Sequence, residues 1–531
     1  LPIQDALNGG EFKVPDSPFH VDGYVAPQKS GEKATVIEIH GCFFHACLCT
    51  YSDESMIFDR TGYEVRCVDQ GRLEYLKKFY NVTVVKECEI KKMLKKNAAM
   101  KKYFEEYELE EPLLIRDAFF GGRTELFMTY FLCSEDEFLS YLDICSLYPW
   151  TNKYRPYPIG RGRTVAGDTI KTPIGKGDVI PVKGFIKCSV RCPRGIDVPI
   201  LTMRSGGKNI VPLCAACCEK ADPYGPPCSH TAEERMLKGT WTSFELELAL
   251  EEGCVIEKVY QARHYDEWAT YKKDGSSISH GIMSEYMDTF VKKKTEASGW
   301  PSDSMTDEEK DEFISSFFEK EGILLDKSKM AKNATARQVA KLFANSLWGK
   351  LGERDDRRKI EIFVSPEHFF RLLTDGTKDV IEVQVLSEDK VAVSYRTREG
   401  HEKGVPTTSL ASAALTTAFA RCTLFKLLRR IPKGRLLYCD TDSVIFVSKK
   451  GEANPLEDRM GPFLGDFTSE IPEGGRRFEF VAHAPKSYAY KYEINGEVKT
   501  VVKCKGFLLT EDAAKAIRFE TMKEFADCLS T

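Results

Sequence analysis

Leu436-Leu437-Tyr438-Cys439-Asp440-Thr441-Asp442-Ser443-Val444-Ile445-Phe446 reads as an apolar strand, a polar turn and a second apolar strand. The turn therefore sits at a hairpin tip, with Asp440 and Asp442 projecting on one side. Two carboxylates on such a tip repel each other unless a cation lies between them. Hard divalent ions such as Mg²⁺ take oxygen ligands and usually share them with substrate phosphates. An Asp-rich turn on an ordinary surface is the competing reading.

The same logic extends upstream. Phe138-Leu139-Ser140-Tyr141-Leu142 is an apolar strand that delivers Asp143 at its end, and Ser146-Leu147-Tyr148-Pro149 turns the chain into a new element. An Asp at a strand end beside a hairpin carrying two more is the arrangement that two-metal phosphoryl transfer requires. Between them lies Lys341-Leu342-Phe343-Ala344-Asn345-Ser346-Leu347-Trp348-Gly349-Lys350. Arg337, Lys341 and Asn345 recur every four residues and share one helix face. Two cations and an amide there could clamp a triphosphate; a solvated basic face is the plainer alternative.

At 531 residues the chain has room for three or four domains, or two with large insertions. A content of 42% hydrophobic and 29% charged residues excludes a disordered or collagen-like chain. No apolar run approaches the ~18–20 residues of a membrane span, so no membrane partner is expected. A net charge of −4 gives no bulk pull on nucleic acid, and any basic surface must be local. Eighteen cysteines gather mainly in two clusters, which suggests metal more than disulfides. Leu1-Pro2-Ile3-Gln4-Asp5 opens no secretory segment, so a reducing, intracellular compartment is expected.

Residues 1–100 read as strands and a helix, closing in the basic helical stretch Lys86–Lys102, either a solvated face or a DNA-backbone contact. The switch to acidic residues before Pro112 marks a boundary. A Gly- and Pro-rich stretch runs from Pro156 to Pro227, and the pattern from Thr231 to about Lys350 is mainly helical. Residues 355–400 alternate as strands do, and Ser409–Arg430 is a helix.

Asp143–Pro149 (DxxSLYP), Lys341–Gly349 (KxxxNSxxG) and Tyr438–Ser443 (YxDTDS) stand in this order and at wide spacing. Together they resemble motifs A, B and C of family B DNA polymerases. Lys486-Ser487-Tyr488 is similar to the KxY motif of the protein-primed branch, which contacts the primer strand. Phe119-Phe120-Gly121-Gly122-Arg123 is similar to its YxGG segment, with Phe in place of Tyr. Cys214–Leu248 looks like polymerases of Polinton-type transposons, linear mitochondrial plasmids and related viruses. The resemblance implies that Asp143 and Asp442 hold two Mg²⁺ ions with Asp440 in support. It implies that Tyr148 lies under the incoming sugar and excludes a 2′-hydroxyl. Lys341 and Arg337 would meet the triphosphate, and Asn345 would line the nascent base pair. Trp348 stands where the family usually has Tyr. The implied partners are template and primer DNA, dNTPs and a terminal protein that primes.

Cys214-x2-Cys217 followed by Cys228-x-His230 offers four ligands at the spacing of a zinc knuckle, with buried free cysteines as the alternative. Near the N-terminus, Asp22 is followed by Glu38-Ile39-His40, which resembles the PD-(D/E)xK nuclease plan with His in place of Lys. His40-Gly41-Cys42-Phe43-Phe44-His45-Ala46-Cys47 is similar to very-short-patch-repair endonucleases. That resemblance implies structural zinc at Cys42, Cys47, Cys49 and Cys88, a catalytic role for His45, metal binding by Asp22, and Glu38 as a further ligand.

The expected fold is α+β: a right-hand polymerase with palm, fingers and a small thumb, preceded by an α/β restriction-endonuclease-like zinc domain. Its expected parts are the zinc domain (1–105), palm (106–154 and 353–490) and an insertion between motifs A and B that carries the knuckle and resembles a terminal-protein region (155–300). Fingers (301–352) and a thumb or its remnant (491–531) complete them. The expected activity is template-directed, protein-primed DNA synthesis without a 3′–5′ exonuclease in this chain. A structure-specific endonuclease whose polymerase portion holds DNA is the alternative.

Overall fold

The computed structural model describes residues 3–5, 11–29, 31–106, 110–220, 228–274, 277–354, 357–398, 407–470, 475–505, 510 and 516–530. It is a mixed α/β fold organised around several small sheets.

The N-terminal sheet runs in the order Gln4–Asp5, Gly23–Val25, Thr35–His40, Asn81–Lys86. Its last pair is parallel, which a crossover must connect, and helix Gly62–Phe79 lies on that crossover. Thr61 and Glu64 start the helix with a reciprocal capping box. Leu76 of the helix joins Val21 and Val36 in a small core. Helices Glu87–Lys96 and Ala98–Glu106 follow, as the basic stretch implied.

The sheet that carries the acidic hairpin has five antiparallel strands: Phe467–Ser469, Glu137–Ile144, Ser443–Lys449, Leu436–Asp440 and Thr124–Leu126, in that order. Its central strands are covered on both faces, hence their continuous apolar runs. Leu142, Ile144, Val444 and Phe446 pack against Leu424 and Leu428 of helix Leu410–Leu428. Leu139, Tyr141, Ile445 and Val447 pack instead against Phe480 and Tyr488 of a second sheet. That sheet is ordered Tyr130–Leu132, Arg476–Ala484, Ser487–Ile494, Glu497–Cys504, and helix Phe519–Ser530 lies on it.

The mainly helical pattern expected from Thr231 holds for helix Ser243–Glu251 and again from Ser284 onward, with strands around the first of these. Leu237–Thr242 and Val255–His264 are strands of a four-stranded sheet with Arg163–Ala166 and Gly184–Arg191. Trp241, Ile256 and Ala262 are fully buried there, and cross-strand packing outweighs the helical spacing of their neighbours. Helices Ser284–Glu296, Asp307–Glu321 and Ala334–Leu351 follow. The first and last pack together, with Phe290 stacked on Phe343 at 4.9 Å. Residues 359–397 form a three-stranded sheet with helix Pro366–Leu373 against it. Among the described residues no helix is long and apolar enough to cross a membrane.

Candidate active site

Strand pairing brings the three Asp residues together. Asp143 and Asp440 each pair with Ser443, from opposite sides of the same strand. The Ile144 amide donates to the Asp442 carbonyl at 2.7 Å, locking the end of the Asp143 strand to the hairpin tip. The tip is tight: the Asp442 amide donates to the Asp440 carbonyl at 2.7 Å, and Thr441 adopts φ 61°. That region is unfavourable for a β-branched residue. The Thr441 amide is held by the Arg123 carbonyl at 2.7 Å. Ser146 and Lys486, which flank the same site, also have positive φ; such strain collects at functional positions.

The three carboxylates differ. Asp440 Oδ1 accepts from Thr124 Oγ1 (2.9 Å) and Thr441 Oγ1 (3.1 Å), and Lys486 Nζ lies 2.9 Å away. Among the described residues, Asp143 and Asp442 have no ion-pair partner of this kind. Burial pushes the Asp143 carboxyl up to about 7, with the charges of Asp442 and Glu470 adding to the shift. Burial likewise raises Asp442 to about 6, followed by the charge of Asp440. Lys341 pulls both down, so helix Ala334–Leu351 presents that ammonium toward the pair. Two half-buried carboxylates with raised pKa values, carried on adjacent strand ends, are oxygen donors of the kind that divalent cations take.

Around them stand the other sequence-predicted residues. Tyr148 packs against Trp348 at 5.0 Å between ring centroids, and Trp348 meets Phe119 at 5.9 Å. Arg337 donates to Ser298 Oγ at 3.1 Å. Asn345 is half-buried on the same helix as Lys341. The Lys486 amide donates to the Tyr438 hydroxyl at 2.7 Å, and the Tyr488 hydroxyl lies 2.9 Å from that of Tyr141. Gly122 has a steric reason to be glycine, because a Cβ would lie 2.6 Å from Thr441 Oγ1. Gly121 contributes its carbonyl, which accepts from Arg421 Nη1 at 2.9 Å.

Around the acidic hairpin, sequence reasoning missed three residues. Lys294, on helix Ser284–Glu296, donates to Ser146 Oγ at 3.0 Å. Burial lowers its pKa, and the charges of Arg337 and Lys341 lower it further, so three cations share this wall. Arg421 is buried, paired with buried Glu245 at 2.6 Å, and also donates to the Phe120 carbonyl at 3.0 Å. Its signal was a charged residue in the almost wholly apolar helix Leu410–Leu428. Glu470 contributes its charge near Asp143 from a neighbouring strand end, and no spacing links the two.

Both cysteine groups also assemble. The Cys49–Cys42 and Cys47–Cys88 sulfurs lie 3.6 and 3.8 Å apart. A tetrahedron of 2.3 Å zinc–sulfur bonds has an edge of about 3.8 Å. His230 Nδ1 lies 3.5, 3.4 and 3.5 Å from the sulfurs of Cys214, Cys217 and Cys228, near the edge of about 3.6 Å expected for mixed ligands. Both sets fit zinc.

In the N-terminal sheet, His45 Nδ1 lies 2.8 Å from Asp69 Oδ2, and its ring stacks on His40 at 3.8 Å. His40 stands in the nuclease-like string read from the sequence, whereas Asp69 was not singled out there. Asp22 accepts the Ile39 amide at 2.6 Å. Glu38 is buried and paired with Arg72 at 2.8 Å, and burial raises its pKa despite that partner.

Residues 74–306 match the family model described as DNA polymerase type B, organellar and viral. The type B match takes in Gly121, Gly122, Asp143, Tyr148, the knuckle cluster and Lys294, and ends before Arg337. It spans less than half of the chain. No curated protein matches. Among solved structures, the chain is similar to Phi29 DNA polymerase in a ternary complex with primer-template DNA and incoming nucleotide. Identity is 17%, the TM-score 0.46, and the match covers 81% of this chain and 61% of that one. Against Phi29 DNA polymerase complexed with single-stranded DNA, identity is 16% and the TM-score 0.44, covering 89% and 68%. The chain thus spans about three-fifths of the polymerase in the ternary complex.

Proposed function

We propose that this chain is a template-directed DNA polymerase of the protein-primed type B kind. The observation that carries the reading is the pair Asp143 and Asp442. They come from segments roughly 300 residues apart, stand half-buried on adjacent strand ends, and feel the charge of Lys341. Its support is the order of the three motifs together with the type B match over residues 74–306.

In this reading Asp143 and Asp442 hold two Mg²⁺ ions, which supply charge to polarise an attacking hydroxyl and steady a leaving pyrophosphate. Asp440, held by Thr124 and Lys486, keeps the hairpin tip in shape. Lys341, Arg337 and Lys294 neutralise the triphosphate, a task of positioning and charge. Tyr148 and Trp348 form a wall beneath sugar and base, where Tyr148 excludes a 2′-hydroxyl, and Asn345 lines the base pair. Lys486 and Tyr488 meet the primer strand, and Gly121 and Gly122 let the template approach the backbone. The central sheet is the palm, the helices from 301 to 352 are fingers, residues 155–300 are an insertion that meets a terminal protein, and 491–531 serve as a small thumb. Two zinc ions brace the Cys42/Cys47/Cys49/Cys88 and Cys214/Cys217/Cys228/His230 groups. The N-terminal module, residues 1–105, positions DNA.

The test is extension of a 5′-labelled primer on single-stranded template with Mg²⁺ and dNTPs, beside an Asp440→Asn/Asp442→Asn double variant. Products that lengthen only with the unsubstituted chain are expected. Internal cutting without extension would move the chemistry to Asp22, Glu38 and His45. Label transferred from a dNTP to protein would identify a protein primer.

A further inference from the structure

The side chain of Lys153 is wholly buried, one turn beyond Tyr148 on helix Leu147–Tyr154. Its ammonium lies 2.6 Å from Asp288 Oδ1 and 3.6 Å from Glu321 Oε2, and it donates to the Glu321 carbonyl. Glu321, itself buried, is fully engaged: Tyr154 Oη donates to Oε2 at 2.6 Å and the Leu464 amide donates to Oε1 at 2.8 Å. The rings of Tyr154 and Tyr271 lie 5.1 and 5.2 Å from the ammonium. Gly322, at φ 70°, leaves space that a Cβ would fill, 2.4 Å from Tyr271 Oη.

A buried ammonium is costly and would be replaced by an apolar side chain if filling space were its only task. Here it joins four segments, and each leads to a group in the candidate site. Helix Leu147–Tyr154 carries Tyr148. Helix Ser284–Glu296 carries both Asp288 and Lys294. Helix Asp307–Glu321 leads into the helix of Arg337 and Lys341. Leu464 leads into the strand ending beside Glu470. Carboxylates from two helices share one cation, and that fixes the distance between those helices and the helix of Tyr148. An apolar contact would let them slide.

We infer that Lys153 is a positioning residue that sets the spacing between the Tyr148 wall and the Lys294, Arg337 and Lys341 cations, and so tunes nucleotide binding without touching nucleotide. The inference deepens the polymerase reading and rests on it. The test compares Lys153→Met and Lys153→Arg with the unsubstituted chain by primer extension, primer-template binding and hydrogen exchange without nucleotide. Expected for Lys153→Met is a KM for dNTP raised tenfold or more, with the Kd for primer-template within twofold. Exchange in helix Ser284–Glu296 should quicken at least tenfold, and Lys153→Arg should restore most of both losses. Unchanged exchange in that helix, or KM and DNA affinity moving by the same factor, would overturn the inference. Should Lys153→Met fail to fold, Asp288→Asn decides by the same measurements, since it leaves the ammonium paired with Glu321. An unsubstituted chain that extends no primer would sink the polymerase reading alone, because the exchange comparison still reports whether Lys153 ties the helices.

Discussion

The acidic tip of the central sheet and the His–Asp–Glu cluster of the N-terminal sheet have similar inventories and opposite states. In the tip, Asp143 and Asp442 are half-buried, have no ion pair among the described residues, and are held above the usual carboxylate range. In the N-terminal cluster each acid has work within the protein. Glu38 is neutralised by Arg72, Asp22 holds the Ile39 amide, and Asp69 holds His45. The difference lies in the partners of the acids, and it does not remove the N-terminal cluster from metal chemistry, because His40, His45 and Asp69 converge closely enough to hold an ion. A list of acidic residues would rank the two alike; their partners do not.

The largest effect should come from Asp143→Asn or Asp442→Asn. On the proposed polymerase reading, loss of either acid removes several kcal/mol of transition-state stabilisation, about 10³-fold or more in single-turnover extension. Retention of near-full rates would erase the contrast. Gly122→Ala should come next, because its Cβ would strike Thr441. Overpacking of this kind costs ~1–3 kcal/mol, and extension should fall by about 10–100-fold with little change in DNA binding.

A third effect concerns pH. Without divalent ions, carboxyls whose folded pKa is raised to about 7 and 6 favour the folded state most below their unfolded values, near 4. That stability is lost as pH rises through 6 to 7. Metal-free Tm should therefore fall between pH 5 and pH 8. Mg²⁺ should raise Tm at pH 8 and do little at pH 5, and Asp143→Asn should flatten both trends. Calorimetry across that range would show it. The smallest effect is expected at the other site: His45→Ala should leave cutting of 5′-labelled duplex at background, as in the unsubstituted chain. Cutting that disappears in His45→Ala would place a second working centre there.

Much of the candidate site was legible because its residues sit in short strings whose local order is also their spatial order. Tyr438–Ser443 is a hairpin in sequence and in structure. Cys214, Cys217, Cys228 and His230 close on one another over 17 residues. What escaped depends on contacts between distant segments. Lys294 matters only because its helix packs against Ala334–Leu351, and Glu470 only because its strand flanks Glu137–Ile144. The strands Leu237–Thr242 and Val255–His264 flank a real helix, Ser243–Glu251, and were read as part of one helical stretch with it. Asp69 was hidden because it lies on helix Gly62–Phe79 and meets His45 only through the fold.

The pairing of Glu137–Ile144 with Ser443–Lys449 has a consequence for synthesis of the chain. Translation at about 5–20 residues per second leaves roughly 15–60 s between the emergence of the first strand and that of its partner. For that interval an apolar strand has open edges while roughly 300 residues fold beside it. The nascent chain must shield those edges from other strands that could add to them. The sheet that carries the candidate site therefore closes only after everything between its two central strands has been made.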